Sequence, residues 1–354
     1  MSSQNEMYAP QFTLNNQILI NIGKVEACRE VILNAPLLPL WEKRFREEAL
    51  VRTVHHGTHL EGNQLDFQEA KEVVLSQNLH SIRTRDVLEV INYRAVMDYI
   101  ENVWKQDRKN LTEGLIKEVH RKVVDKILPE NLSGHFRNKQ VVIKDSQTGQ
   151  VTFRPPEPEQ LQYLLGQFLE WANSVNKETL HPVLKAGICH YELVRIHPFL
   201  DGNGRVARSL ATLILYSEGY DIRRFFSLEE YYDRDPLTYY EHLQKAGSGD
   251  LTPWLEYFVK GLAVELEKIK ERIQKLSSDT HLKQKLGGKQ VFLNERQTKI
   301  IEYIQEVGYL QNQSFPSLFP DFSEDTVLRD IKELLENNLI RKIGKTKGAR
   351  YILQ

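Results

Sequence analysis

The run His197-Pro198-Phe199-Leu200-Asp201-Gly202-Asn203-Gly204-Arg205-Val206-Ala207-Arg208 is the stretch most able to do chemistry. Two glycines flanking Asn203 let the backbone turn sharply, and Val206, Leu210, Leu213 and Ile214 then continue at helical spacing as far as Gly219. Such a loop feeds its N–H groups into a helix N-terminus, where they can hold a phosphate. Arg205 and Arg208 add two permanent cations at that end. Each costs about 0.3–1 kcal/mol against the positive end of the helix dipole, which a bound polyphosphate would offset. Asp201 supplies a hard carboxylate oxygen suited to a Mg²⁺ that also bridges phosphates. His197 is the group in the run that exchanges a proton near neutral pH. A metal-bound nucleotide with a base beside it implies attack on phosphorus by an incoming hydroxyl. The competing reading is a capping loop, with Asp201 capping the helix, His197 a core histidine and the arginines solvated. The pattern H-x-F-x-D-G-N-G-R-x-x-R fixes eight positions, and at ~5% usage per residue type its chance occurrence is on the order of 10⁻¹⁰ per start site.

The elements that must position this run are mostly helical. Residues 36 to 125, after the punctuation at Pro36, Pro39 and the Gly57/Gly62 pair, carry helical periodicity, with Val87, Val90, Ile91, Val96 and Ile100 as one stripe. Val141-Val142-Ile143 and Val151-Thr152-Phe153 flank the polar stretch 144–150, a hairpin signal that Pro155-Pro156 terminates. Leu161, Leu164, Leu165, Phe168, Leu169 and Ala172 predict an amphipathic helix, and Pro182 starts another with Leu184, Ile188 and Tyr191 on its face. From Leu251 to about Leu286 the pattern is helical again, and its Glu-Lys-rich part from Glu265 to Lys275 favours a solvated helix. Gly287-Gly288 interrupts it, placing a boundary near residue 288.

Composition bounds the rest. With 354 residues, 47 Lys+Arg against 48 Asp+Glu and 41% hydrophobic residues, the chain has material for about two cores and cannot act as a polycation. Cys28 and Cys189 lie far apart without C-x-x-C spacing, so neither a disulfide framework nor a thiolate metal site is expected. No export signal or apolar stretch of about 18 residues is present, so the expectation is a cytoplasmic protein without a membrane partner. His55 and His59 stand at i,i+4, a metal-ligand spacing, but no zincin pattern accompanies them and Gly57 lies between.

The run His197 to Arg208 resembles the signature of the Fic family, and the likeness extends from roughly Glu61 to Phe258. Supporting stretches are Gly134-His135-Phe136-Arg137, Pro155-Pro156, His181-Pro182 and Tyr239-Tyr240-Glu241-His242-Leu243. The resemblance implies a mainly α fold, a helical core with a β-hairpin flap. It implies transfer of AMP from ATP, with Mg²⁺, to a Ser, Thr or Tyr hydroxyl of a protein. On it His197 is the general base and Asp201 the Mg²⁺ ligand. Gly202, Asn203 and Gly204 form the anion hole, with Arg205 on the phosphates and Arg208 on the γ-phosphate. Val141, Val142 and Ile143 are the flap edge that aligns an extended target by β-augmentation. Tyr232, Asp235 and Tyr240 are the candidate adenine contacts. Thr58-His59-Leu60-Glu61-Gly62-Asn63 resembles the family's inhibitory motif, in which a helix-borne Glu pairs with the second arginine, here Glu61 with Arg208. One departure is that Gly57 stands four residues before Glu61, where the family has Ser or Thr. An Arg–carboxylate fork there would occupy the guanidinium that should grip the γ-phosphate.

Residues 291 to 354 resemble a small winged helix-turn-helix domain, with Ser323 to Ile331 opening the would-be recognition helix and Gly344 to Leu353 the wing. Nine basic residues balance nine acidic ones there, and Glu324 and Asp325 stand at the helix start, where phosphate would repel them. DNA is thus a candidate partner of 289–354, alongside protein docking or dimerisation. The expected organisation is 1–110 an N-terminal helical region with the inhibitory-type motif, 111–262 the catalytic core, 263–288 a helical linker and 289–354 the winged-helix domain. The alternatives to AMP transfer are a ligand-sensing DNA-binding regulator and a de-AMPylating phosphodiesterase using the same pocket. The expected partner is a protein carrying the modified hydroxyl, with self-modification as one candidate.

Overall fold

The computed structural model describes residues 8–354 apart from 36, 38, 76–83, 107–109, 145–148, 150, 286–292, 321 and 345–348. It divides into two compact units, 1–273 and 274–354. The fold is mainly helical, with two short antiparallel hairpins among the described residues.

The first unit runs α1 (Asn16–Asn34), α2 (Pro39–His59), α3 (Phe67–Leu75), α4 (Arg85–Lys105), α5 (Glu113–Val123), β1 (Ile143–Lys144), β2 (Val151–Phe153), α6 (Leu161–Ser174), α7 (Pro182–Ile196), α8 (Asn203–Ser217), α9 (Leu228–Asp233) and α10 (Pro236–Ala246). The long α11 (Thr252–Lys285) continues through the division. Local chemistry sets many of the starts. Asn15, Thr84, Thr112, Ser227 and Asp235 each accept an N–H of the first turn of α1, α4, α5, α9 and α10, a cap that contributes about 1 kcal/mol. Pro182 opens α7 behind His181. Helices α7 and α8 form the centre, buried along nearly their whole length, and α4 packs over α8. Phe168, Leu165 and Leu161 of α6 turn inward as the periodicity predicts, each fully buried apolar side chain contributing about 1.5–3 kcal/mol.

Three sequence expectations change. Gly57 is no punctuation but lies inside α2, because a Cβ there would stand 2.4 Å from the ring of buried Tyr93. The hairpin is shorter than its apolar runs: Ile143 pairs with Phe153 and Lys144 with Val151, leaving Val141 and Val142 ahead of the strand. The stretch after Glu265 is not simply solvated, since Glu265 is fully buried on Arg52 and Lys268 while Leu266, Ile269 and Ile273 join the core.

The second unit contains α12 (Glu295–Val307), α13 (Phe315–Leu318), α14 (Glu324–Glu336) and the hairpin β3 (Ile340–Ile343) to β4 (Arg350–Leu353), paired in register from Ile340↔Leu353 to Ile343↔Arg350. Ile300, Ile304, Leu310, Phe315, Val327, Ile331, Leu334 and Tyr351 make its own core.

Candidate active site

The loop between α7 and α8 is held from three sides. His197 caps α7 in the left-handed region at φ 51°, and its carbonyl accepts Arg137 Nε at 2.8 Å. The Arg137 N–H donates to Pro198 O and its Nη2 to Pro156 O, so one residue ties the loop to the foot of the hairpin. Inside the loop the Asn203 amide closes a ring, accepting Phe199 N–H at 2.9 Å and donating to Phe199 O at 2.8 Å. From below, the His120 ring stacks flat on Phe199 at 3.7 Å. Its Nδ1 accepts Gly134 N–H, which fixes the proton on Nε2 for donation to Asp201 O at 3.1 Å. Burial pushes the His120 pKa down to about 4, so it serves as a neutral brace. These contacts commit the Asn203 side chain internally, leaving only its main chain for an anion.

Gly202, just ahead of α8, is in the left-handed conformation at φ 79°, and no described side chain caps the helix. Its first turn therefore offers N–H groups and the positive dipole end to an anion. Arg205 and Arg208 are both nearly fully buried beside it. Arg205 lies 3.7 Å from Glu89 and 3.5 Å from Asp201, yet among the described residues its Nε and Nη1 have no hydrogen-bond partner. A buried guanidinium with orphaned donors is costly unless an acceptor arrives. Arg208 Nη2 donates to Gly57 O at 2.9 Å and to Glu61 Oε1 at 2.7 Å. Glu61 lies in the turn just after α2 rather than on the helix. Its carboxylate presses on the loop so closely that a Cβ on Gly204 would stand 2.3 Å from Oε1. Burial opposes its ionisation, but Arg208 and Arg205 more than offset this and hold it below the usual carboxylate range. Asn63 anchors the turn from behind, donating to Glu89 Oε2 at 3.0 Å and to Asp86 O at 2.9 Å.

His197 itself is half-buried. Its Nδ1 faces Val194 O at 3.3 Å, and since a carbonyl only accepts, the proton belongs on Nδ1 and the lone pair on Nε2. Burial is the main cause that pushes its pKa below the ordinary histidine value. Asp201 accepts Gly202 N–H at 2.6 Å on Oδ1 and Arg85 Nη2 at 3.1 Å on Oδ2.

The candidate adenine residues fall in different places. Tyr232 is 1% exposed, stacked on Tyr239 at 4.7 Å. Asp235 spends its carboxylate on Thr238 as the cap of α10. Tyr240 is 47% exposed and donates to Leu60 O at 3.2 Å, beside the Glu61 turn. At the end of α2, His56 and His59 both bond Asp233, and His55 packs on Phe67. Among the described residues no cluster of three His, Cys, Asp or Glu side chains is arranged for a metal. Sequence reasoning missed Arg85, Glu89, Tyr93, His120 and Asp233, which reach the site from outside the motif. Only Gly57, unusual inside a helix, hinted at a close neighbour.

Residues 110–215 match the Fic/DOC family model, a span that includes the whole α7–α8 loop. The chain contains a Fic domain. Protein adenylyltransferase Fic of Nematostella vectensis is 30% identical over 244 residues, 68% of this chain and 53% of that protein. The chain thus spans about half the length of the curated relatives it matches. A Fic family protein from Desulfovibrio desulfuricans G20 has the same fold at 23% identity, with a TM-score of 0.67 over 98% of both chains. Fic-1 from C. elegans is 26% identical with a TM-score of 0.58 over 74% of each. Glu61, Arg85, Glu89 and Tyr93 lie ahead of the matched Fic domain and are brought to it by α2 and α4.

Proposed function

We propose that the chain transfers AMP from ATP to a Ser, Thr or Tyr hydroxyl of a protein and that Glu61 restrains the reaction. The observation that carries the reading is the pairing of a neutral His197, its Nε2 lone pair free of the Val194 contact, with a helix start that no described side chain caps, flanked by two buried arginines that both keep orphaned donors among the described residues. A polyphosphate would satisfy those donors, and oriented N–H groups and guanidinium charge stabilise the negative charge that develops on phosphorus. The hydroxyl oxygen bonds to the α-phosphorus as its proton passes to His197 Nε2. The bond to the bridging oxygen breaks, and pyrophosphate leaves.

Asp201 would hold Mg²⁺, whose other oxygens would come from nucleotide and water, the usual arrangement for this ion. When bound, the ion neutralises phosphate charge. β1 pairs only with β2 among the described residues, so its outer edge suits an extended target segment. Glu61 supports autoinhibition because its carboxylate holds Arg208 and lies over Gly204, where the end of a triphosphate would otherwise sit. A hydrolytic reading, in which Glu61 orients water against an AMP-modified protein, rests on a carboxylate whose negative charge acts on the His197 ring.

The deciding experiment incubates wild type, Glu61→Gly and Glu61→Gly/His197→Ala with Mg²⁺, acceptor protein and ATP labelled at either the α- or the γ-phosphate. We expect α-label on protein to rise at least tenfold with Glu61→Gly and to vanish in the double variant. γ-Label alone would indicate phosphotransfer. Loss of turnover of a modified substrate on Glu61→Gly, without gain of transfer, would favour hydrolysis.

A further inference from the structure

Asp201 is not bare. Arg85, the first residue of α4, reaches across from another part of the chain and places Nη2 3.1 Å from Asp201 Oδ2, while its Nε bonds Glu89 Oε1 at 3.1 Å. Its side chain is 64% exposed, so it stands at the mouth of the site, free to leave without breaking a core. Arg205 lies on the other oxygen of the same carboxylate at 3.5 Å. Arg208 and the positive start of α8 follow behind. The acid offered to a divalent cation thus already has a guanidinium on each oxygen; Glu89 shares both of those arginines, at 3.1 Å from Arg85 and 3.7 Å from Arg205, and Glu61 holds Arg208, so positive charge is in excess once Glu61 is removed.

We propose that Arg85 is the resident counter-cation of Asp201, a positioning residue that a divalent metal must displace and that makes metal entry conditional on nucleotide. This rests on the reading of Asp201 as the metal carboxylate. Without phosphates, a metal at Asp201 trades one cation for another and adds its charge to those of Arg205 and Arg208. With phosphates bound, that field is already cancelled. Arg85, still tethered to Glu89, gives up Oδ2 as the metal arrives. The exposed geometry sets the size of the effect, because a pair this open contributes only a few-fold to a binding constant.

The test is a binding measurement on the full chain carrying Glu61→Gly. Mn²⁺ is titrated alone, followed by its paramagnetic signal, and then with a non-hydrolysable ATP analogue, followed by calorimetry. The parent should take up no Mn²⁺ alone and should bind the analogue with a clear Mn²⁺ dependence. Arg85→Gln should lower the half-saturating Mn²⁺ concentration about two- to five-fold, and Arg85→Lys, which keeps a cation, should restore the parent value. If Arg85→Gln instead weakens the analogue at saturating Mn²⁺, Arg85 grips phosphate and the proposal is overturned. An unmoved Mn²⁺ dependence in Arg85→Gln also overturns it, the pair then being an ordinary surface contact. If analogue binding in the parent ignores both Mn²⁺ and Asp201→Ala, the metal reading of Asp201 fails and takes the role of Arg85 with it.

Discussion

His197 combines features that pull its proton equilibrium in opposite directions. Its ring is half-buried behind Arg137, and the Val194 carbonyl fixes the proton on Nδ1. Burial, the largest effect, disfavours the imidazolium, and Arg137 adds to it, while the Val194 contact and the charges of Glu61 and Asp201 partly oppose it. The net direction is downward from 6.5. A general base acts in its deprotonated form, so activity is lost only as pH falls through the lowered value. The acid limb of kcat/KM for Glu61→Gly should therefore lie below pH 6.5, and removing the Glu61 charge should push it further in that direction. A limb at or above 6.5 in the pH–rate profile would mean that another group carries the proton. The motif residues were legible because the eight positions are contiguous and each chemistry is written in its residue type. Arg85, Glu89 and Tyr93 were not, because an acid or arginine on a helix surface looks the same in sequence whether it meets solvent or a partner over a hundred residues away.

The turn after α2 gives the same lesson at the level of elements. Glu61 reaches Arg208 because α2 ends at His59 and the chain folds back, with Glu61 and Gly62 N–H bonding Thr58 and His59 carbonyls. Asn63 then nails the turn to α4 through Glu89 and Asp86 and accepts Leu65 N–H. Periodicity anticipated α6, and Pro182 anticipated the start of α7, since burying one face is a local pattern. The placement of α2 against α8 is not, because Gly57 acquires its meaning only when the Tyr93 ring occupies the missing Cβ and Arg208 takes the Gly57 carbonyl. If the turn is what aims Glu61, then Asn63→Ala, which removes hydrogen bonds worth about 1.5–3 kcal/mol at a charged partner, should shift it away from Arg208. Basal α-label incorporation should rise up to about tenfold yet remain below that of Glu61→Gly. Unchanged incorporation in Asn63→Ala, with its fold intact by circular dichroism, would assign the aim of Glu61 to its own pair alone.

Across the whole chain, 47 basic and 48 acidic residues nearly cancel, so contact with nucleic acid needs a local surface, and residues 289–354 are where one would be sought. Their helix-and-hairpin arrangement suits such a role in outline, but the charges are disposed otherwise. The outward positions of α14 carry Glu324, Asp325, Glu333 and Glu336 against Arg329 and Lys332, and Lys332 is paired with Glu336 at 3.8 Å. Arg296 is drawn in by Asp330 at 2.6 Å, and Lys299 donates to Leu318 O. Exposed bases remain on the hairpin at Arg341, Lys342 and Arg350, where Arg350 stacks on Tyr309 at 4.3 Å. A helix whose first turn is acidic meets the phosphate backbone with repulsion where base contacts are made. Each neutralised phosphate steepens the fall of log K with log salt by about 0.9. The full chain should therefore show no salt-steep binding to a duplex at about 0.15 M ionic strength. Glu324→Lys/Asp325→Lys should gain binding at low salt that the wild type lacks, because the hairpin cations would then be joined by two more. Fluorescence anisotropy on a labelled duplex across a salt series decides it: a wild-type slope of several counterions would make this unit a DNA reader, whereas a flat wild type and a steep variant would leave its surface to protein.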